Sequence, residues 1–146
     1  MQSTEIIKKL PYTEPFLFVD QILSISENGV VGTYAFKKDA DFYRGHFKDY
    51  PITPGVLITE CMAQIGLVCL AIFLSEKEEH VAQSYALSHT DIDFLLPVYP
   101  GEKVKVVSEK IYFRFGKLKC KVKMVNTDEK LVAQGEISGM TIKKNE

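Results

Sequence analysis

Residues 55–74, GVLITECMAQIGLVCLAIFL, form the longest apolar run in the chain and leave no polar stripe at any helical period. A helix of that kind must be covered on every side. Thr53-Pro54-Gly55 predicts its start, because a threonine hydroxyl can cap free N–H groups and proline suits the first helical position. SEKEEH, residues 75–80, reads as its polar exit. Upstream, residues 16–25 (FLFVDQILSI) and 30–36 (VVGTYAF) are rich in β-branched and aromatic residues. Asn28-Gly29 between them predicts a hairpin whose turn residues adopt positive φ. Residues 37–54 hold clustered aromatics with Gly45, Pro51 and Pro54 and no sustained period, the pattern of an ordered loop.

From Val81 onward the pattern is that of strands: 81–98, then 102–115 after Tyr99-Pro100-Gly101, then 117–125 after a turn at Gly116, and 130–143 after NTDEK. Alternation is clearest in 117–124, where Lys117, Lys119, Lys121 and Lys123 share one face and Leu118, Cys120, Val122 and Met124 the other. That strand is half buried, and the lysine stripe reads as its wet face, the other reading being a surface that attracts an acidic partner. The order predicts an α+β domain: a hairpin, one long helix, then three or four antiparallel strands. A curved sheet wrapped round the helix would cover much of it, and a second copy of the chain could cover the rest. With no internal repeat or low-complexity tract, residues 1–146 read as a single domain.

Bulk properties narrow the partners. Of 146 residues, 46% are hydrophobic and 25% charged, with a formal net charge of −1, so one buried core is expected and nucleic acid is not. Cys61, Cys69 and Cys120 are an odd set, two of them inside the apolar run, as buried reduced thiols would be. The N-terminal MQSTEIIKKLPYTEP has no apolar stretch of signal-peptide length, which predicts a cytoplasmic protein. About 20 apolar residues can span a bilayer. Against a span here, Glu60 sits inside the run, a Lys/Arg-rich flank is missing, and the strands need a partner layer.

Burying an ionised Glu60 is costly unless it is paired, so it is protonated, hydrogen-bonded or facing a cavity. Gln64 lies one turn further on the same helix face and can donate its amide. An apolar site would raise the Glu60 pKa and suit it as a general acid, with His46, in the aromatic loop DFYRGHF, as the complementary base. Gly55, at the helix N-terminus, can present its N–H to an oxyanion. A base, an acid and an oxyanion donor are what α-proton abstraction beside a thioester and loss of a β-hydroxyl require, and that chemistry needs no metal or organic cofactor. His80 reads as a solvated loop residue and His89 as structural or surface-facing. Phe42, Tyr43 and Phe47 could line an acyl channel or pack the core, and Arg44 could contact a substrate phosphate.

The stretch FYRGHFKDYPITPGVLITECMAQIG resembles the signature of 3-hydroxyacyl-acyl-carrier-protein dehydratases of the FabA/FabZ type, and the acidic residue being Glu places it nearer FabZ. LPYTEPFLFVD and DFLLPVYPGEKV resemble the family's flanking segments. The resemblance implies a hot-dog fold, an antiparallel sheet wrapped around a long central helix, assembled as a homodimer or as a larger oligomer of dimers. It implies His46 as base, Glu60 as acid from the opposite subunit, the Gly55 N–H as carbonyl donor, and a phosphopantetheine-linked substrate on acyl carrier protein. Tyr12-Thr13 stands where the family usually has His-Arg, and Lys48 where Pro is common. Asp91, Asp93, Leu95 and Leu96 replace basic character before Pro97, which bears on how an acidic carrier would dock. The rival readings are a hot-dog acyl thioesterase, a CoA-linked enoyl hydratase and a non-enzymatic acyl-binding assembly subunit.

Overall fold

The computed structural model describes residues 2–76 and 84–142. His80 and the first residues of the expected strand 81–98 lie outside the described residues. A short helix α1 (Ser3–Lys8), not foreseen from the sequence, seats Ile6 in the core. Strands β1 (Gln21–Ser26) and β2 (Gly29–Ala35) form the expected hairpin. The central helix runs over Gly55–Leu74 in three parts: α2 (Gly55–Ala63), a π-helical segment (Gln64–Val68) and α3 (Cys69–Leu74). Strands β3 (Ser84–Phe94), β4 (Lys103–Arg114), β5 (Lys117–Val125) and β6 (Leu131–Ile142) follow.

All six strands join one antiparallel sheet in the order β1-β2-β4-β5-β6-β3. Its inner face, including Val106, Leu118, Cys120, Val122, Met124 and Ile137, closes on the central helix. Within the helix's most apolar window 72% of residues are buried, so its length and hydrophobicity are those of a core element. The expected alternation of β5 holds, with Leu118, Cys120, Val122 and Met124 buried while Lys121 and Lys123 are exposed. Across the outer face Lys119 Nζ reaches Glu136 Oε1 at 3.2 Å. All three cysteines are free and buried.

The hairpin turn is displaced by one residue from its expected place. Ser26 pairs with Gly29, so Glu27 and Asn28 form the loop and Gly29 already belongs to β2. What requires glycine at 29 is a neighbouring strand: a Cβ there would lie 2.1 Å from the Ser108 carbonyl oxygen. The residues at 16–20, expected as strand, fall outside the strands and form a strap that the backbone of Phe16 and Phe18 ties to Gln64 of the helix. The turn at Gly116 is as expected, with Phe115 at φ 53° and Gly116 at φ 74°.

Helix and sheet approach most closely around the π-helical segment. A Cβ on Gly66 would meet Val122 Cγ1 at 2.9 Å and Ser108 Cβ at 3.1 Å. The wider turn disturbs the regular backbone ladder. Ser108 Oγ donates to the Gly66 carbonyl at 2.7 Å. That bond keeps a buried acceptor paired where water cannot reach it.

Candidate active site

Glu60 stands on α2 one turn before Gln64, the residue that opens the π-helical segment. Gln64 is fully buried, and its amide makes three hydrogen bonds. Its Oε1 accepts from Phe18 N–H at 2.8 Å, and its Nε2 donates to Phe16 O at 3.0 Å and to Glu60 Oε2 at 2.9 Å. The strap at 16–18 is thereby locked over the helix beside the carboxyl. Phe18, buried, meets Tyr34 edge to face at 5.6 Å. Glu60 itself is half-buried and forms no ion pair among the described residues. Burial pushes its carboxyl above the ordinary carboxylate range, and the hydrogen bond from Gln64 only partly opposes this. The shift favours the protonated form, the form a general acid needs.

His46 follows a short 3-10 turn, Asp41–Arg44. Its Nδ1 lies 2.8 Å from Ile52 O. A carbonyl oxygen only accepts, so the proton of the neutral ring belongs on Nδ1 and the Nε2 lone pair is left to take a proton. The imidazole stacks on Phe47, with centroids 4.0 Å apart and planes 26° from parallel.

The helix mouth is built differently from its expected form. Thr53 does not cap the helix: its hydroxyl pairs with Tyr43 Oη at 2.6 Å inside the core, and its N–H donates to Val98 O at 2.9 Å. Pro54 takes the cap position itself, and helical residues begin at Gly55. Leu57 and Ile58 N–H return to Pro54 O at 3.0 and 3.1 Å. Gly55 and Val56 N–H have no partner among the described residues, so the mouth keeps outward-facing donors for an oxyanion.

Glu60 and Gln64 form one cluster, His46 with Phe47 and Ile52 another, and no hydrogen bond or ion pair links them. Phe42 lines a cleft of about 540 Å³ with Phe16, Phe18, Tyr34 and Leu57. Leu57 is three residues before Glu60 on the helix, and Glu60 itself is not among the residues lining the cleft. Tyr43 is buried, while Phe47 is 56% exposed. Arg44 points to solvent and pairs with Asp41 at 3.2 Å. His89 is exposed on β3. Among the described residues no three His, Cys, Asp or Glu side chains gather closely enough to hold a metal ion. The backbone of Phe16 and Phe18 and the Ile52 carbonyl were not legible as site components, since main-chain groups carry no residue-type signal.

A family model described as a FabA-like domain matches residues 10–138. The chain belongs to the FabA-like family. The FabA-like chain is 37% identical over 142 residues to the 3-hydroxyacyl-[acyl-carrier-protein] dehydratase FabZ of Clostridium perfringens, covering 94% of this chain and 96% of that one. It is 35% identical to the FabZ of Nitratiruptor sp. over 148 residues, covering 99% of each. Among solved structures, a dehydratase heterocomplex from Xenorhabdus doucetiae superposes with a TM-score of 0.79 at 13% identity, covering 99% of this chain and 93% of that one. A hypothetical thioesterase protein from Streptococcus pneumoniae with coenzyme A superposes with a TM-score of 0.60 at 11% identity, covering 86% of this chain and 87% of that one. Sheet, helix and these likenesses make this FabA-like domain a hot-dog fold.

Proposed function

We propose that the chain is a hydro-lyase converting (3R)-3-hydroxyacyl thioesters, carried on acyl carrier protein, to trans-2-enoyl thioesters in fatty-acid biosynthesis. His46 Nε2 takes a proton from the α-carbon while the Gly55 N–H steadies the charge on the thioester oxygen. Protonated Glu60 gives its proton to the β-hydroxyl, which leaves as water as the double bond forms. The step ends with His46 protonated and Glu60 ionised, and one proton passing through solvent from the first to the second restores both. The observation that carries this reading is the half-buried Glu60, held in place by Gln64 and unpaired with any cation among the described residues, so that burial favours its protonated form.

Two copies would supply the complete site. β3 is an edge strand of 11 residues, mostly exposed, and Leu87, Phe94 and Leu95 on or next to it are 45%, 50% and 52% exposed. A long edge strand with its outer backbone groups unpaired favours pairing with another strand. Joining β3 to its copy would extend the sheet and bring the partner's loop toward Glu60, giving a cytoplasmic homodimer. The cleft walled by Phe42, Phe16 and Leu57 would take the apolar tail of the substrate.

Incubating the purified chain with hydroxyacyl thioesters of acyl carrier protein and of CoA tests the reading. Enoyl absorbance without free thiol is the expected result. Free thiol without enoyl product would make the protein a thioesterase, turnover confined to CoA thioesters would overturn the carrier assignment, and acyl binding with no turnover would make it a silent subunit.

A further inference from the structure

The His46 backbone is fixed on both sides, its N–H donating to Phe42 O at 3.0 Å and its carbonyl accepting from Ile52 N–H at 2.9 Å, and the loop that carries it is held at two further places. Near its end, Thr53 is tied to Val98 and Tyr43 by the bonds described above. At its tip, Phe47 N–H donates to Tyr50 O at 2.8 Å and Tyr50 N–H to Phe47 O at 3.1 Å, closing a four-residue turn. That turn stands in solvent, with Tyr50 55% exposed. Among the described residues its one side-chain tether to the rest of the fold is Tyr50 Oη to Tyr99 Oη, 2.8 Å, the rings lying edge to face at 6.0 Å. Tyr99 is itself fixed, since its N–H donates to Glu102 Oε1 at 3.3 Å and its carbonyl accepts from Glu102 N–H at 3.1 Å.

The bond from His46 Nδ1 to Ile52 O sets the tautomer and, with the His46 backbone held by Phe42 and Ile52, restrains one edge of the imidazole. The second restraint on the ring is its stack against Phe47, and Phe47 is the first residue of the tethered turn. Where the turn is held therefore decides where the ring plane lies. We propose that Tyr50 and Tyr99 are positioning residues for His46: their paired hydroxyls clasp the 47–50 turn so that Phe47 keeps Nε2 aimed outward. The inference rests on His46 being the base of the proposed reaction. An exposed hydroxyl pair adds little to folding. A displaced catalytic group is costly, on the order of a hundredfold in rate per ångström.

The test uses the full chain with Tyr50→Phe, Tyr99→Phe and the double substitution, each of which keeps both rings. Each single change should lower kcat about two- to tenfold and leave KM unaltered. The double should be no worse than the poorer single, because the first change already breaks the bond. Heteronuclear NMR of the imidazoles, with His46→Ala for assignment, should show faster solvent exchange of the His46 Nδ1 proton in every variant. Unchanged kcat with unchanged exchange would overturn the clasp. Additive losses, or a rise in KM alone, would also overturn it, since the hydroxyls would then act separately or on substrate. If the unaltered protein dehydrates no hydroxyacyl thioester, the dehydratase reading fails, while the imidazole exchange still decides the clasp.

Discussion

Gln64 Nε2 lies 2.9 Å from the Glu60 carboxylate and 3.0 Å from the Phe16 carbonyl, so a single amide fixes the acid and the strap that roofs it. Gln64→Leu would strand the buried Phe18 N–H and the Phe16 carbonyl without partners. With about 1–3 kcal/mol for each unsatisfied group, the loss should reach about 2–6 kcal/mol in denaturant unfolding. Gln64→Glu keeps an acceptor for Phe18 but loses the donor to Glu60. It should therefore lose kcat even where it folds. Wild-type stability in the leucine variant would show that these bonds are not what holds the strap.

Glu60→Gln should reduce kcat by about two to four orders of magnitude, the usual worth of a general acid. It should also change how stability depends on pH. Burial raises the folded-state pKa of Glu60 above its unfolded value. Between those two values the folded chain keeps a proton that the unfolded chain has released. The contribution of Glu60 is thus fully present below the ordinary carboxylate pKa and is lost as pH rises through the raised one. Glutamine does not titrate, so the variant should melt higher than the wild type at neutral pH and lose that advantage in acid. Parallel melting curves across this range would contradict the raised pKa.

Sharing of the site between subunits can be read by complementation. His46→Ala and Glu60→Gln chains should each be nearly inactive and dimeric by light scattering. Refolded together in equal amounts, half of the dimers are mixed, and each mixed dimer holds one intact His46 and Glu60 pair. About a quarter of wild-type turnover should return. No recovery from mixed dimers would place both groups of a site in one chain.

The cleft beside Leu57 should set chain length. Phe42→Trp narrows it, and each methylene kept out of an apolar wall forfeits about 0.8 kcal/mol, or about fourfold in kcat/KM. The ratio of long-chain to short-chain turnover should fall by at least about tenfold once two methylenes are excluded. An unchanged ratio across a series of chain lengths would move the acyl tail elsewhere.

Local pattern made much of the fold legible. The helix over 55–74 was plain because a run apolar all round has few other soluble solutions, and β5 because its lysines and apolar residues alternate without a break. His46, Glu60, Gly55 and Gln64 stood out as residue types whose chemistry fits together, in an order resembling a known signature. Misplaced details share one cause. Thr53 has the right chemistry for a cap, but Tyr43, ten residues upstream, claims its hydroxyl. Gly29 suits a turn, yet the Ser108 carbonyl of a strand far along the chain is what excludes a side chain there.

The sequence by itself determined the order of elements, the apolar helix and the acid and base candidates, because period and residue chemistry are local properties. Only the tertiary structure decided that Gln64 would bind a strap 46 residues away, that Ile52 would set the His46 tautomer, and that one chain would leave His46 and Glu60 unlinked. Those outcomes depend on which backbone groups come to lie beside which side chains once the sheet closes, and all main-chain groups look alike in a sequence.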